Sequence, residues 1–344
     1  MADKNLHVLR ECQNSEHPSQ MKPLPFLILG LSLSLNLKSA AADFEKRPVT
    51  IFSDGVRMAG DLYTPKGTKA DEKLPCLVLC CGTGGTKART GNQTAPHFAQ
   101  NGYMVLAFDY RGWGQSDSKL ITVDPQSRPD AKGEVQVKAR AVRWQMDYAD
   151  QLGDIRAAIS FIVGEPNADR DRIGLWGTSY GGGLVTWIAG NDPRVRAVVA
   201  QVPGMGAGRS GTKAQKTAYD LLTKQARGET EPVPFETGQL GGKLSAYAQM
   251  RSNPAKGLGF YPLEAAAKIK IPAFILDASD DELMNIKDNG GKAAEIIKSN
   301  GVEVEYHVIP GITHYGVYKE KFQEVTALEI AWLDQHLKKA PAAK

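Results

Sequence analysis

Apolar residues run through this chain in short unbroken blocks, interleaved with stretches of helical spacing. Residues 74–81 (LPCLVLCC) and 103–108 (YMVLAF) carry almost no polar position, which predicts strands covered on both faces. Residues 173–176, 195–202, 271–276 and 302–309 read as further strands. Residues 148–163 place apolar side chains at helical spacing, and 283–299 and 319–339 also read as helices. A shorter helix is expected over 95–101. Ahead of these, 49–52 and 56–63 flank Ser53-Asp54-Gly55, an Asp-Gly signal for a tight hairpin.

Strands alternating with helices predict an α/β fold: a mainly parallel twisted sheet of about eight strands, helices on both faces, and an antiparallel edge from the opening hairpin. Two segments break the rhythm. Residues 115–145 form a long polar stretch, and residues 203–268 hold more chain than a crossover needs. The second segment contains Tyr219-Asp220-Leu221-Leu222 and the run 244–250, both candidates for short helices. Its apolar content suggests an inserted lid within a single domain spanning 43–344.

Composition changes little in this picture. The 344 residues are 42% hydrophobic and 23% charged, with 35 glycines for the many turns. A net charge of +4, spread without basic blocks, argues against nucleic acid as a partner. Residues 24–37 are apolar, with Lys22 before them and Ala40-Ala41-Ala42 after them. That layout is expected of a signal peptide over 21–42, with cleavage near Ala42/Asp43 and export to the periplasm or medium. The run is short for a membrane span, so no stable membrane anchor is expected. The polar residues 1–20 make a long lead, and Met21 is an alternative start. Cys12 falls in the leader. Cys76, Cys80 and Cys81 share one predicted strand, where positions four apart lie roughly 13 Å from each other, beyond disulfide reach. Successive strand side chains also point to opposite faces, which disfavours a metal site.

The chemistry centres on Gly177-Thr178-Ser179-Tyr180-Gly181. It follows the predicted strand 173–176 and precedes the helix-length apolar stretch 182–189. Strand, tight turn and helix are the setting in which G-x-S-x-G presents a serine nucleophile. A serine hydroxyl at neutral pH needs an adjacent base, and that base needs an orienting carboxylate. Both should follow in loops beyond later strands. The strand 271–276 leads into Asp277-Ala278-Ser279-Asp280-Asp281-Glu282, where four acids compete. The strand 302–309 leads into Pro310-Gly311-Ile312-Thr313-His314-Tyr315-Gly316. His314 alone sits in such a loop. His97, His307 and His336 fall within predicted elements and read as structural.

With these segments in place, residues 48 to 338 resemble the α/β-hydrolase superfamily. Within it they are most similar to the dienelactone-hydrolase-like and prolyl-peptidase-like serine esterases. Cys80-Cys81-Gly82-Thr83-Gly84-Gly85 resembles the His-Gly-x-Gly oxyanion loop, with Cys81 where histidine is frequent. Asp109-Tyr110-Arg111-Gly112-Trp113-Gly114 resembles the Arg-Gly-x-Gly turn, and the last histidine sits in a Gly-x-x-His segment. The resemblance implies a Ser179-Asp281-His314 triad, since the family's Gly-x-x-Asp maps onto Ala278 to Asp281. It also implies an oxyanion hole of the Thr83 and Tyr180 backbone amides, and no cofactor or metal. Trp113 and Tyr180 are candidate pocket aromatics. The implied activity is cleavage of a carboxylic ester in a small acyl substrate. A small exported peptidase of the same superfamily is the alternative, followed by a non-catalytic binding protein. About 130 residues lie between the leader and Ser179, all needed for the core, which counts against a propeller-bearing oligopeptidase. Serine in the elbow, where dienelactone hydrolases proper have cysteine, counts against that specific activity.

Overall fold

The computed structural model describes residues 43–206, 212–233 and 248–338. The leader and its cleavage point, and the run 244–247, lie outside the described residues. Asp54 and Gly55 both adopt positive φ (49° and 76°) and close a two-residue turn between β1 (Phe44–Ser53) and β2 (Val56–Pro65). Then come β3 (Leu74–Cys80), β4 (Met104–Phe108), β5 (Ala168–Thr178), β6 (Val195–Gln201), β7 (Ala273–Ala278) and β8 (Val304–Ile309). Among the described residues these form one eight-stranded sheet in the order β1-β2-β4-β3-β5-β6-β7-β8. β2 runs antiparallel to both neighbours, and every pairing from β4 onward is parallel.

Alternation along the strands splits the core into two layers. Cys76, Val78 and Cys80 pack on one face with Leu106, Leu175 and Ile275, whereas Leu77 and Leu79 pack on the other with Val105, Trp176 and Phe274. Helices α3 (Tyr148–Val163) and α4 (Tyr180–Ala189) cover the first face, and α2 (Ala95–Gln100) and α8 (Phe322–Leu333) the second. The three cysteines of this region are free and buried.

Several elements depart from the sequence pattern. Helix α1 (Lys87–Gln93) contains only polar and small residues, so no apolar period announces it. The insertion forms α5 (Lys213–Ala226), longer than the short helix expected at 219–222. Good helix formers and the Thr212 side chain, which accepts from the Gln215 amide at 3.3 Å, account for it. A five-residue helix, α6 (Pro262–Ala266), follows. Helix α7 (Gly290–Ser299) begins seven residues later than the pattern suggests. The Asp281 carboxylate captures the Leu283 and Met284 amides, both at 2.8 Å, and holds that stretch in a turn. The closing helix is regular only to Leu333, then widens into a π-helical turn over Asp334–Lys338.

One buried ion pair ties the hairpin to α3. Asp154, fully buried, accepts from the Arg111 amide at 2.9 Å and from its Nε at 2.7 Å, while Arg111 also donates to Ser53 Oγ. Removing one partner strands a charge in the core, which costs about 3–5 kcal/mol. Arg111→Met is therefore expected to lower unfolding stability by that order in a denaturant titration, and Arg111→Met with Asp154→Leu to recover most of it. A wild-type midpoint for the single variant would contradict this account.

Candidate active site

Strand β5 ends at Thr178, and Ser179 turns the chain into α4 with φ 54° and ψ −121°. That backbone conformation is strained for a residue with a side chain and persists only where its surroundings enforce it. The enforcement is local. The Ser179 amide donates to the Gln201 carbonyl at 2.8 Å, and its own carbonyl accepts from Gly182 and Gly204, both at 2.9 Å. Glycines allow the close approach: a Cβ on Gly181 would lie 2.2 Å from the Cys80 carbonyl oxygen, and one on Gly177 would lie 2.4 Å from that of Gly181.

His314 lies in the loop after β8, almost fully buried. Its Nε2 is 3.0 Å from Ser179 Oγ and its Nδ1 is 2.7 Å from Asp281 Oδ2. The structure therefore brings together the side chains of all three residues implied by the sequence. It also separates the four competing acids. Glu282 accepts from the His314 amide at 2.8 Å and fixes the loop rather than the ring. Asp280 takes the Ser279 hydroxyl at 3.0 Å, and Asp277 is buried against the Tyr306 hydroxyl at 2.9 Å. Burial alone would raise the Asp281 carboxyl. The hydrogen bond from His314 and the amides of Met284 and Leu283 outweigh it, holding Asp281 below the usual carboxylate range. At Asp277 burial outweighs the Tyr306 hydroxyl and the Gly291 amide and pushes the carboxyl up to about 7.

The other histidines among the described residues are remote in role: His97 packs on Phe322, His307 bonds Glu305, and His336 stacks near Trp332.

Thr83 lines the same cavity as Ser179 and His314. Tyr180 occupies the first position of α4, where a backbone N–H has no intrahelical acceptor. Gly82 keeps the loop close, since a Cβ there would sit 3.1 Å from Ser179 Cβ. Trp113 is not brought to the cavity. It is fully buried, donates to the Gln145 carbonyl at 2.8 Å and stacks on Tyr180, whose hydroxyl is taken up by Gln151. Cys81 reaches the cavity, but burial pushes its thiol up to about 12, so it stays protonated.

The cavity encloses about 500 Å³, including its open mouth. Its walls include residues the sequence reading passed over: Arg89 and Gln93 from α1, Trp176, Tyr315 and Tyr318. The two tyrosines follow His314 within four residues, the one signal that could have flagged them. Behind the elbow, Thr178 Oγ1 bonds the Tyr318 hydroxyl at 2.5 Å and Gln201 Oε1 at 2.8 Å. Gln201 Nε2 then reaches Glu329 of α8 at 3.2 Å. Glu329 is completely enclosed, and burial pushes it up to about 8.

Residues 141–340 match the prolyl oligopeptidase family, and residues 54–214 match the X-Pro dipeptidyl-peptidase (S15) family. An uncharacterized 31.7 kDa Escherichia coli protein from the traX-finO intergenic region is 26% identical over 77% of this chain and 92% of its own length. The quorum-quenching protein AidA of Acinetobacter baumannii is 32% identical over 51% of this chain and 47% of its own. The α/β hydrolase GrgF from a Penicillium species superposes with a TM-score of 0.63 at 18% identity, covering 86% of this chain and all of that one.

The folded protein keeps Glu329 protonated to about pH 8, whereas an ordinary glutamate releases its proton near 4.5. Stability that is present at acid pH is therefore lost as pH rises through that window. Thermal unfolding followed against pH should show this decline, and Glu329→Gln should flatten it. An equal slope in the variant would contradict the assignment.

Proposed function

The chain belongs to the prolyl oligopeptidase family of α/β hydrolases, and on that premise we propose that it cleaves a carboxylic ester through a Ser179-bound acyl intermediate. The observation that carries this reading is the hydrogen-bonded row Ser179 Oγ, His314 Nε2, His314 Nδ1, Asp281 Oδ2, at 3.0 and 2.7 Å. In it, His314 takes the Ser179 proton as Oγ attacks the carbonyl carbon. Asp281, held by two backbone amides, keeps the Nδ1 proton in place and supports the imidazolium. The tetrahedral oxyanion faces the Thr83 and Tyr180 amides, donors already fixed before charge develops. Collapse passes the proton from His314 to the leaving alkoxide, and water repeats the sequence to free the acid and Ser179.

Cleavage of a peptide or aminoacyl amide is the second reading, favoured by the peptidase families that match. Recognition of a free amino terminus calls for a carboxylate beside the nucleophile, and no aspartate or glutamate is among the described residues lining the cavity. That supports the ester. We further infer that α5 and the rest of the insertion over 203–268 act as a lid, and that residues 21–42 direct export.

4-Nitrophenyl esters assayed beside proline and aminoacyl 4-nitroanilides distinguish the two readings. The ester series is expected to dominate, and Ser179→Ala to lower kcat by on the order of 10³-fold or more. Faster anilide turnover would favour the peptidase, and undiminished turnover by Ser179→Ala would overturn the nucleophile assignment.

A further inference from the structure

Among the described residues, the Ser179 cavity is walled by hydroxyls, an amide, aromatic rings and a single side chain with a permanent charge, Arg89. Some guanidinium groups elsewhere meet carboxylates, Arg111 with Asp154 and Arg194 with Asp192, and others, such as Arg143 and Arg170, are taken up by backbone carbonyls. Arg89 has no acidic side chain within ion-pair distance among the described residues. Instead its Cζ lies 4.8 Å from the centre of the Tyr318 ring. That ring is held firmly, because Tyr318 shares its hydroxyl with Thr178 at 2.5 Å and its carbonyl accepts from Gln93 Nε2 at 2.6 Å. The platform under Arg89 is thus bonded to the residue that precedes Ser179. The Arg89 charge is also felt inside the cavity, where it opposes the effect of burial on the Cys81 thiol.

We propose that Arg89 is a carboxylate-recognition residue, and that the substrate is an ester whose portion entering this cavity carries a terminal carboxylate. The inference rests on the acyl-enzyme reading above. Stacking occupies the face of a guanidinium and leaves its N–H edge free, the edge that grips a carboxylate in a two-point fork. With no competing anion among the described residues of the wall, a substrate carboxylate would be the natural partner. A neutral acyl chain of equal length would leave that donor edge unmatched.

The test compares two esters of matched length, the 4-nitrophenyl half-ester of adipic acid and 4-nitrophenyl hexanoate. Wild-type kcat/KM is expected to favour the half-ester by roughly tenfold, the scale of one charge-assisted contact. Added salt should erode that preference. Arg89→Met should reduce kcat/KM for the half-ester roughly tenfold more than for the hexanoate. Arg89→Lys, which keeps the charge but not the fork, should restore part of it. Equal or greater preference for the hexanoate, or a ratio unchanged in both variants, overturns the inference while hydrolysis of both esters leaves the Ser179 reading standing. Turnover of neither ester, with Ser179 unreactive toward a fluorophosphonate, overturns the Ser179 reading and the inference with it.

Discussion

The backbone at Ser179 is the constraint on which the site depends. A residue with a side chain sits at positive φ because three strands leave it no other course. β6 takes its amide through the Gln201 carbonyl, the loop after β6 returns the Gly204 amide to its carbonyl, and the end of β3 presses the Cys80 oxygen against Gly181. Each contact requires a strand order in which β5 lies between β3 and β6. The topology of the sheet and the exposure of one hydroxyl are in this sense a single fact. The glycines at 177 and 181 through 183 are the local cost of that packing, since each would drive a Cβ into a neighbouring backbone or side chain.

From that point electrostatics arranges the rest. Two carboxylates four residues apart, Asp277 and Asp281, meet opposite environments. Asp281 faces an imidazole and two amides and is held in its charged form. Asp277 faces a tyrosine hydroxyl and the tight N-terminus of α7, where a Cβ on Gly290 would lie 2.1 Å from its Oδ2, and burial raises it. The same loop supplies Glu282 to anchor the His314 backbone. One acidic stretch thereby performs three separate tasks, set by where each side chain is buried and not by residue type.

The interior of the sheet was legible because its central strands are doubly covered. A strand such as 74–80 must be apolar on both faces, and such runs stand out from polar surroundings. The hairpin was legible through Asp54-Gly55, and helix 148–163 through its regular spacing. What stayed hidden follows from the same physics. Helix α1 buries only small or polar residues, Thr90 and Gly91, and so carries no period, yet it brings Arg89 and Gln93 to the cavity. The late start of α7 depends on a side-chain-to-backbone bond that apolar spacing does not record. Glu329 looks like a solvent-facing position in a closing helix, and only the packed structure encloses it against Gln201. Trp113 had the residue type of a pocket aromatic, but the turn directs it into the core, toward Tyr180.

In the proposed mechanism Ser179 attacks a carbonyl whose oxygen is then held by the Thr83 and Tyr180 amides. Its most direct test is a crystal structure of the protein after reaction with an organophosphonate that mimics the tetrahedral intermediate. The account predicts phosphorus bonded to Ser179 Oγ, with the phosphoryl oxygen about 2.7–3.1 Å from both amides. Phosphorus on any other side chain, or a phosphoryl oxygen turned away from those amides, would contradict it.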